Sequence, residues 1–400
     1  MSRIRFVIWA VLPAILLAVA ACAPRIDKGK TSPGVWSQEK LAAATTSDGY
    51  IGNDACQPCH AGEFQKHHGS RHMKTLYEGF TDVLGPLAPP EGQVPNGGKV
   101  MYDQGQLVIE APNKDTGQPV PIPIDLVLGS GKTGMTFLAV HPGGSVEIRQ
   151  SWFPSEKCFR VTPGQEDFAN KTIGQTHGVD DAIRCIGCHS VPRPDTSLIP
   201  EPRFFGVGCE SCHGAGAAHA KAMAAGDKTR GLLLNKFTDK GGKVINDTCG
   251  KCHRTPEAVA KLDKLSQQAT NRFQPYGLSK SKCFIKSDDK LSCVTCHNPH
   301  EDASKDEAGY IKACVQCHSA PEKVCKVNPK SDCIRCHMPT KPVFPGTPFP
   351  VEMADHFIRI NKDQIEFHVK IRDNINGFTQ MLYDLPSPRR FVKMFALKIN

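Results

Sequence analysis

Seven times the chain reads Cys-x-x-Cys-His: Cys56, Cys59 and His60; Cys185, Cys188 and His189; Cys209, Cys212 and His213; Cys249, Cys252 and His253; Cys293, Cys296 and His297; Cys314, Cys317 and His318; Cys333, Cys336 and His337. At this chain's Cys and His content, chance supplies roughly 0.03 copies of this attachment pattern. Two thiols three residues apart can add to the two vinyl groups of one haem, and the adjacent imidazole then sits under the iron as an axial ligand. Zinc ribbons pair Cys-x-x-Cys without a His after every second Cys. A thioredoxin-like site occurs once, beside a βαβ pattern. Plain disulfides carry no fixed His. The spacing therefore predicts seven covalent haems c, with the seven motif histidines as proximal iron ligands.

Nine histidines lie outside the motifs: His67, His68, His72, His141, His177, His219, His300, His356 and His368. Seven bis-histidine irons would need seven of them. His68 and His72 are spaced i, i+4, so a helix would show them on one face, and His67 or His68 is a candidate sixth ligand. His141 sits in a Pro-Gly-Gly turn and reads as exposed. His368 alternates with Glu366, Lys370 and Arg372 onto a polar strand face. Met338 follows its motif too closely to turn back onto that iron. One haem is thus left short of a histidine sixth ligand.

The elements that must hold these groups are short. Residues 1–21 read as a lipoprotein signal: Arg3 and Arg5 precede an apolar run of 16 residues, Phe6 to Ala21, shorter than the ~20 a spanning helix needs. It ends in Val19-Ala20-Ala21-Cys22, which makes Cys22 the lipid site; cleavage as an ordinary secretory signal is the alternative. Either exports the chain, and Ala23 after the cysteine favours the outer membrane as anchor, with the protein facing the periplasm or cell surface. Residues 22–49 read as a flexible tether, 50–96 as a first haem segment, 97–170 as a β-rich insertion, 171–360 as a six-haem domain, and 361–400 as a strand and basic tail. The insertion shows two hairpins, one around Asp103-Gln104-Gly105-Gln106 and one around His141-Pro142-Gly143-Gly144. Gly129 to Thr133 imitates a phosphate loop, but Leu126 stands where its first glycine should be, and strand follows; no nucleotide site is expected. The fold class is mainly α with extensive loop, packed haems serving as core, and a small β insertion.

Fourteen of the 18 cysteines belong to the motifs. Besides Cys22, Cys158, Cys283 and Cys325 remain; Cys283 could pair with Cys325 in an oxidising compartment, or all three stay free. The net charge of +9 comes from 49 Lys plus Arg against 40 Asp plus Glu, with no polybasic stripe, so nucleic-acid binding is not indicated. Haem carboxylates would bring the mature protein near neutral when oxidised and to about −7 when reduced.

Several segments together are similar to a known superfamily: Tyr50-Ile51-Gly52, Ser70-Arg71-His72, Gly208 to Gly214, Ser292 to His300, Cys336-His337-Met338-Pro339, and Asp355-His356 followed by Ile358-Arg359-Ile360. They resemble the group that includes the tetrahaem cytochrome of ammonia oxidisers, hydroxylamine oxidoreductase and pentahaem nitrite reductase. Val127 to Gly131 and Ser151-Trp152-Phe153 resemble related tetratricopeptide-linked cytochromes. The likeness spans about residues 50–360. It implies His72, His177, His219, His300 and His356 as distal ligands, mostly to haems other than their sequence neighbours.

Electron transfer is the leading function, since two axial histidines close the iron to substrate. The alternative is an oxidoreductase acting on a small nitrogen or sulfur compound at one open haem. The nitrite reductases of the superfamily commonly carry Cys-x-x-Cys-Lys, and none occurs here. Of the tyrosines that could donate protons to such a site, only Tyr276 and Tyr310 fall in the six-haem stretch. A filament subunit is a third reading, against which the lipid anchor argues. Partners are redox proteins, with donor and acceptor open, and a membrane through the lipid. Intact mass of protein purified from membranes is expected to show seven haems and an acylated N-terminus at Cys22; fewer than six haems, or an unmodified N-terminus downstream, would contradict this.

Overall fold

The computed structural model describes all residues except 1–36, 96–97, 114–115, 167–172, 193–197, 228, 230–236, 238–239, 263–269, 321–324, 326–332, 345–350 and 361–400. The signal segment, Cys22, the strand pattern at 365–371 and His368 therefore lie outside the described residues. Among the described residues helix accounts for about 36% and strand for about 22%, so a mainly helical fold is not confirmed. The β-rich part is larger than its sequence signals, because short strands such as Leu126–Leu128 are too brief to show a period.

Helix α1 (Gln38–Ala44) forms within the stretch expected as a tether. Ser37 caps it by accepting from Lys40 N at 3.2 Å, and Leu41 is buried. After the first motif comes α2 (Ala61–Gly69). It ends before His72, so His68 and His72 do not share a helical face. Helix α3 (Thr81–Leu84) follows β1 (Leu76–Glu78) and precedes β2 (Gly92–Val94).

The two hairpins form as β3 (Gly98–Asp103) with β4 (Gln106–Pro112), and β7 (Thr136–His141) with β8 (Gly144–Ile148). With β5 (Pro119–Pro123), β6 (Leu126–Leu128) and β11 (Gly174–His177) they build two antiparallel sheets, ordered β1-β6-β7-β8-β11 and β2-β3-β4-β5. A ribbon of β9 (Gln150–Phe153) and β10 (Cys158–Val161) lies beside them. The stretch Gly129 to Thr133 joins strand to strand. Strand β5 is an edge, with Pro119, Pro121 and Pro123 at alternate positions; lacking N–H groups, they blunt it against further pairing.

The five-stranded sheet is buried on both faces. Val127 and Phe137 point into a core shared with the other sheet, alongside Val100, Leu107, Ile109 and Trp152. Leu126, Leu128 and Leu138, one residue out of phase, point the other way with Leu76 and meet Ile186. Ile186 belongs to α4 (Val179–Gly187), the helix that carries Cys185. Asp180 and Asp181 occupy its first turn, where carboxylates complement the helix dipole. The second motif is thus packed onto the insertion.

The remaining motifs ride on short pieces: α5 (Cys209–His213), α7 (Gly242–His253), α11 (Cys293–Cys296), the end of α12 (Glu307–Val315) and α13 (Cys333–His337), with α6 (Ala217–Ala224), α8 (Pro256–Ala260), α9 (Gln274–Ser279) and α10 (Lys282–Ile285) between them. Strands β12 (Thr340–Pro342) and β13 (Glu352–Ala354) pair near the end. Beyond Gly208, the buried hydrophobics among the described residues are Ala222, Ile245, Val259, Phe273, Leu278 and Val343. Six side chains are too few to form the core of so long a stretch, which leaves the interior there to something other than side chains. Leu126 is fully buried under α4. Leu126→Ala is expected to lower the unfolding free energy by about 2–5 kcal/mol; denaturant titration followed by the strand circular-dichroism signal checks this.

Candidate haem-binding site

Four motif histidines each face a non-motif histidine. Ring centroids are 6.1 Å apart for His60 and His219, 6.3 Å for His213 and His300, 6.2 Å for His253 and His72, and 6.1 Å for His297 and His356. Two imidazoles sharing one metal ion, with metal–nitrogen bonds of about 2 Å, have centroids about 6 Å apart. Among the described residues, no three or more His, Cys, Asp or Glu gather as a self-sufficient metal cluster. Two imidazoles at this separation would suit a metal already held in a macrocycle.

The ring nitrogens agree with this use. Nδ1 of His189 donates to Thr75 O at 3.0 Å, that of His337 to Arg359 O at 2.9 Å, and that of His356 to Ala354 O at 3.0 Å. His253 Nδ1 donates to Gln274 Oε1 at 3.1 Å, and Gln274 in turn reaches Met353 Sδ at 3.5 Å. His297 Nδ1 is 3.3 Å from the Tyr310 hydroxyl, which itself donates to Ser304 O. An Nδ1–H so engaged fixes the tautomer and turns the Nε2 lone pair to a metal. For several of the site imidazoles burial favours the neutral form: it pushes His72 down to about 4, and it lowers His189, His253, His297, His300 and His356. Neutral imidazole is the form that ligates. The residues present therefore fit haem.

The other sequence candidates are placed differently. His177 Nε2 lies 3.4 Å from Glu147 Oε2 on the neighbouring strand and faces no motif histidine among the described residues. His68 is exposed and stacked on Phe64 at 5.3 Å. His67 is buried, within 6.3 Å of His72 and 6.0 Å of His300, but its Nε2 is occupied by Val207 O at 2.8 Å. His141 is exposed and accepts from Gly143 N within its own turn. Cys158, Cys283 and Cys325 are all free thiols, so no Cys283–Cys325 bridge exists here. A hairpin and a bound backbone carbonyl are tertiary facts that a histidine count does not contain.

Thiols of different motifs touch. Cys56 meets Cys209, Cys188 meets Cys252 and Cys249 meets Cys293; in each pair one thiol is held up and the other down by the shared hydrogen bond. Cys212 lies close enough to Cys249, and Cys314 to both Cys296 and Cys333, to feel their charge. The motifs thus adjoin in the order first, third, fourth, fifth, sixth, seventh, with the second beside the fourth.

One carboxylate couples the first motif to the third. Glu210, buried inside Cys209-Glu210-Ser211-Cys212, accepts from Ile51 N at 3.1 Å, Gly52 N at 3.0 Å and Gly216 N at 2.8 Å. Asn53 Nδ2 adds a bond to Phe205 O at 3.0 Å. The approach is close: a Cβ on Gly208 would stand 1.6 Å from Asn53 Oδ1. Asp355 plays a similar part for His356. Burial opposes its charge, but Lys341, Phe357 N and Arg359 hold its carboxyl below the usual range.

Comparison with known proteins agrees with this geometry. The family described as cytochrome c554 and c-prime matches residues 151–214, the stretch with the second and third motifs. The cytochrome c-type protein NrfB of Escherichia coli O6:H1 is 27% identical over 159 residues, covering 37% of this chain and 70% of that protein. Among solved structures, the outer cell wall cytochrome OcwA aligns over 78% of this chain and 79% of its own, at 16% identity and a TM-score of 0.46. An undecahaem cytochrome from the S-layer of Carboxydothermus ferrireducens aligns over 80% of this chain and 53% of its own, at 18% identity and a TM-score of 0.42. The chain is thus similar to c-type cytochromes over residues 151–214 and, more weakly, over the stretch shared with NrfB.

Sequence inspection missed Glu210, Gln274 and Glu147, whose partners lie farther along the chain, and it marked Tyr310 as a possible proton donor without its contact to His297; only the position of Glu210 inside a motif gave a further signal. Glu210→Gln turns an amide NH2 toward backbone donors, so a loss of about 2–3 kcal/mol is expected. Chemical denaturation of the purified protein measures it, with Glu301→Gln, at an exposed ion pair to Lys66, as a near-neutral control.

Proposed function

We propose that this chain is a heptahaem lipoprotein, related to the superfamily of tetrahaem cytochromes, hydroxylamine oxidoreductase and pentahaem nitrite reductase, that relays electrons between redox partners at the outer membrane. The observation that carries the proposal is the set of four imidazole pairs at 6.1–6.3 Å. The seven thiol pairs would attach seven haems, which supply one-electron oxidation and reduction at iron. His219, His300, His72 and His356 would close the axial positions opposite His60, His213, His253 and His297. The thiol contacts support a continuous series of neighbouring centres running from the first motif to the seventh. Export and lipidation at Cys22 rest on the N-terminal sequence.

A second reading, an oxidoreductase with one open iron, draws on a particular observation at the second motif. Glu147 Oε2 accepts from Gln165 Nε2 at 2.9 Å and lies beside His177, and its charge reaches Cys185. A half-buried histidine–carboxylate pair next to a haem attachment site is the kind of proton donor a catalytic iron needs. In the carrier, His219→Ala is expected to keep all covalent haem while one low-spin centre becomes high-spin. Paramagnetic resonance of the oxidised protein counts the change, and an unchanged spectrum would remove His219 from the ligands. Carbon monoxide titration of the reduced parent, run beside an activity assay, separates the readings: binding together with turnover of nitrite or hydroxylamine above about 1 per second favours the enzyme, and no turnover favours the carrier.

A further inference from the structure

Between α4 and the α7–α8 corner lies a cleft of about 460 Å³, lined in part by Arg184, Arg254, Thr255, Glu257 and Lys261. It adjoins two haem-attachment motifs at once. Arg184 immediately precedes Cys185, and Arg254 immediately follows His253. Cys188 of one motif and Cys252 of the other are in contact, and both guanidinium groups lie near enough to help hold the Cys188 thiol down.

Three cations and one carboxylate line this cleft. Arg184 is shared with Asp181 in an exposed ion pair. Glu257 is engaged by the start of α8 and by Thr255, which hold its carboxyl below the usual range. Arg254 enters no ion pair among the described residues. Its backbone is unusual as well, with φ 65° and ψ 122° at the C-terminus of α7. Glycine would end the helix there without strain. A bulky residue at positive φ persists only where its surroundings over-determine it. Such a position is where a functional side chain is to be sought.

We propose that Arg254, with Arg184 and Lys261, forms an oxyanion-binding cleft that takes a carboxylate or similar anion between the second and fourth motifs. Guanidinium and ammonium groups around one concavity are the donors such a ligand pairs with. Two sources offer this chemistry: a carboxylate side chain of a neighbouring haem, or a dissolved oxyanion. In either case the cations stabilise the reduced state, because reduction adds negative charge beside them. The inference rests on the haem-bearing reading above.

The test uses full-length holoprotein and a redox titration resolved by paramagnetic resonance, with haem content assayed on the same samples. Arg254→Gly removes the charge and relieves the backbone. It should fold at least as stably as the parent, yet raise the oxidised-to-reduced ratio of one or two centres about tenfold at fixed potential, which is 59 mV for one electron. Arg254→Lys should restore most of the shift. Lys261→Gln, at an exposed helix end, provides an independent smaller shift in the same direction. Sulfate added at constant ionic strength distinguishes the sources. A saturable fall in the parent's potentials, lost in Arg254→Gly, identifies a dissolved oxyanion; no sulfate response with the variant shift intact identifies the haem carboxylate. Full haem content with unchanged potentials in Arg254→Gly and Lys261→Gln, and no sulfate response, would overturn the cleft. Missing haem at the second or fourth motif would overturn the underlying reading instead.

Discussion

Facing imidazoles are the constraint on which the haem-bearing part of this fold depends. In each of the four pairs the rings stand about 6 Å apart, too far for a hydrogen bond and too near to ignore one another. Where Nδ1 is already engaged, Nε2 needs a partner across the gap, because an unmatched polar nitrogen in a desolvated site is costly. The partners are distant in sequence. His219 follows the third motif and faces the first; His300 follows the fifth and faces the third; His72 follows the first and faces the fourth; His356 follows the seventh and faces the fifth. In these four cases the segment after a motif crosses to another motif, which makes the folding of those segments interdependent.

The β region answers a different need. It has its own side-chain core, visible in Val100, Leu107, Val127, Phe137 and Trp152, and so it folds by ordinary hydrophobic burial. Its second face, through Leu126, Leu128, Leu138 and Leu76, fixes Ile186 and hence the helix that presents Cys185. The link extends to the backbone: Thr75, at the entrance to β1, accepts from His189 Nδ1 and donates its hydroxyl to His189 O at 2.8 Å. The sheet thus positions both the thiol and the histidine of the second motif.

What the sequence discloses and what it hides follow from the range of the interactions. The seven Cys-x-x-Cys-His motifs are local patterns, complete within five residues, and are legible at once. The hairpins at Gln104-Gly105 and Pro142-Gly143 are local as well. The short strands β1, β6 and β11 and the helix at 38–44 are not, because three or four residues show no period and their burial comes from tertiary neighbours. The histidines divide in the same way. His72, His219, His300 and His356 could be marked through a resemblance, but their motif partners emerge only from the fold. His177 carries the same kind of mark, yet register places it across from Ser145 on β8, with Glu147 two residues along the same strand face. Glu210 had a visible position but no visible role, since its three N–H donors come from residues 51, 52 and 216.

The second motif has charged neighbours of both signs and stands beside the fourth, outside the run of contacts that links the other motifs. One side is a β wall of buried polar groups, Ser145, Gln150 and Gln165, with Glu147 and His177 at its edge. The other side is the basic cleft of Arg184, Arg254 and Lys261. A carboxylate near one side and cations on the other impose a field across the site, in surroundings drier than bulk water, where charges act more strongly. A simple relay position requires no such asymmetry. A group held there would meet a charge environment unlike that beside the other motifs.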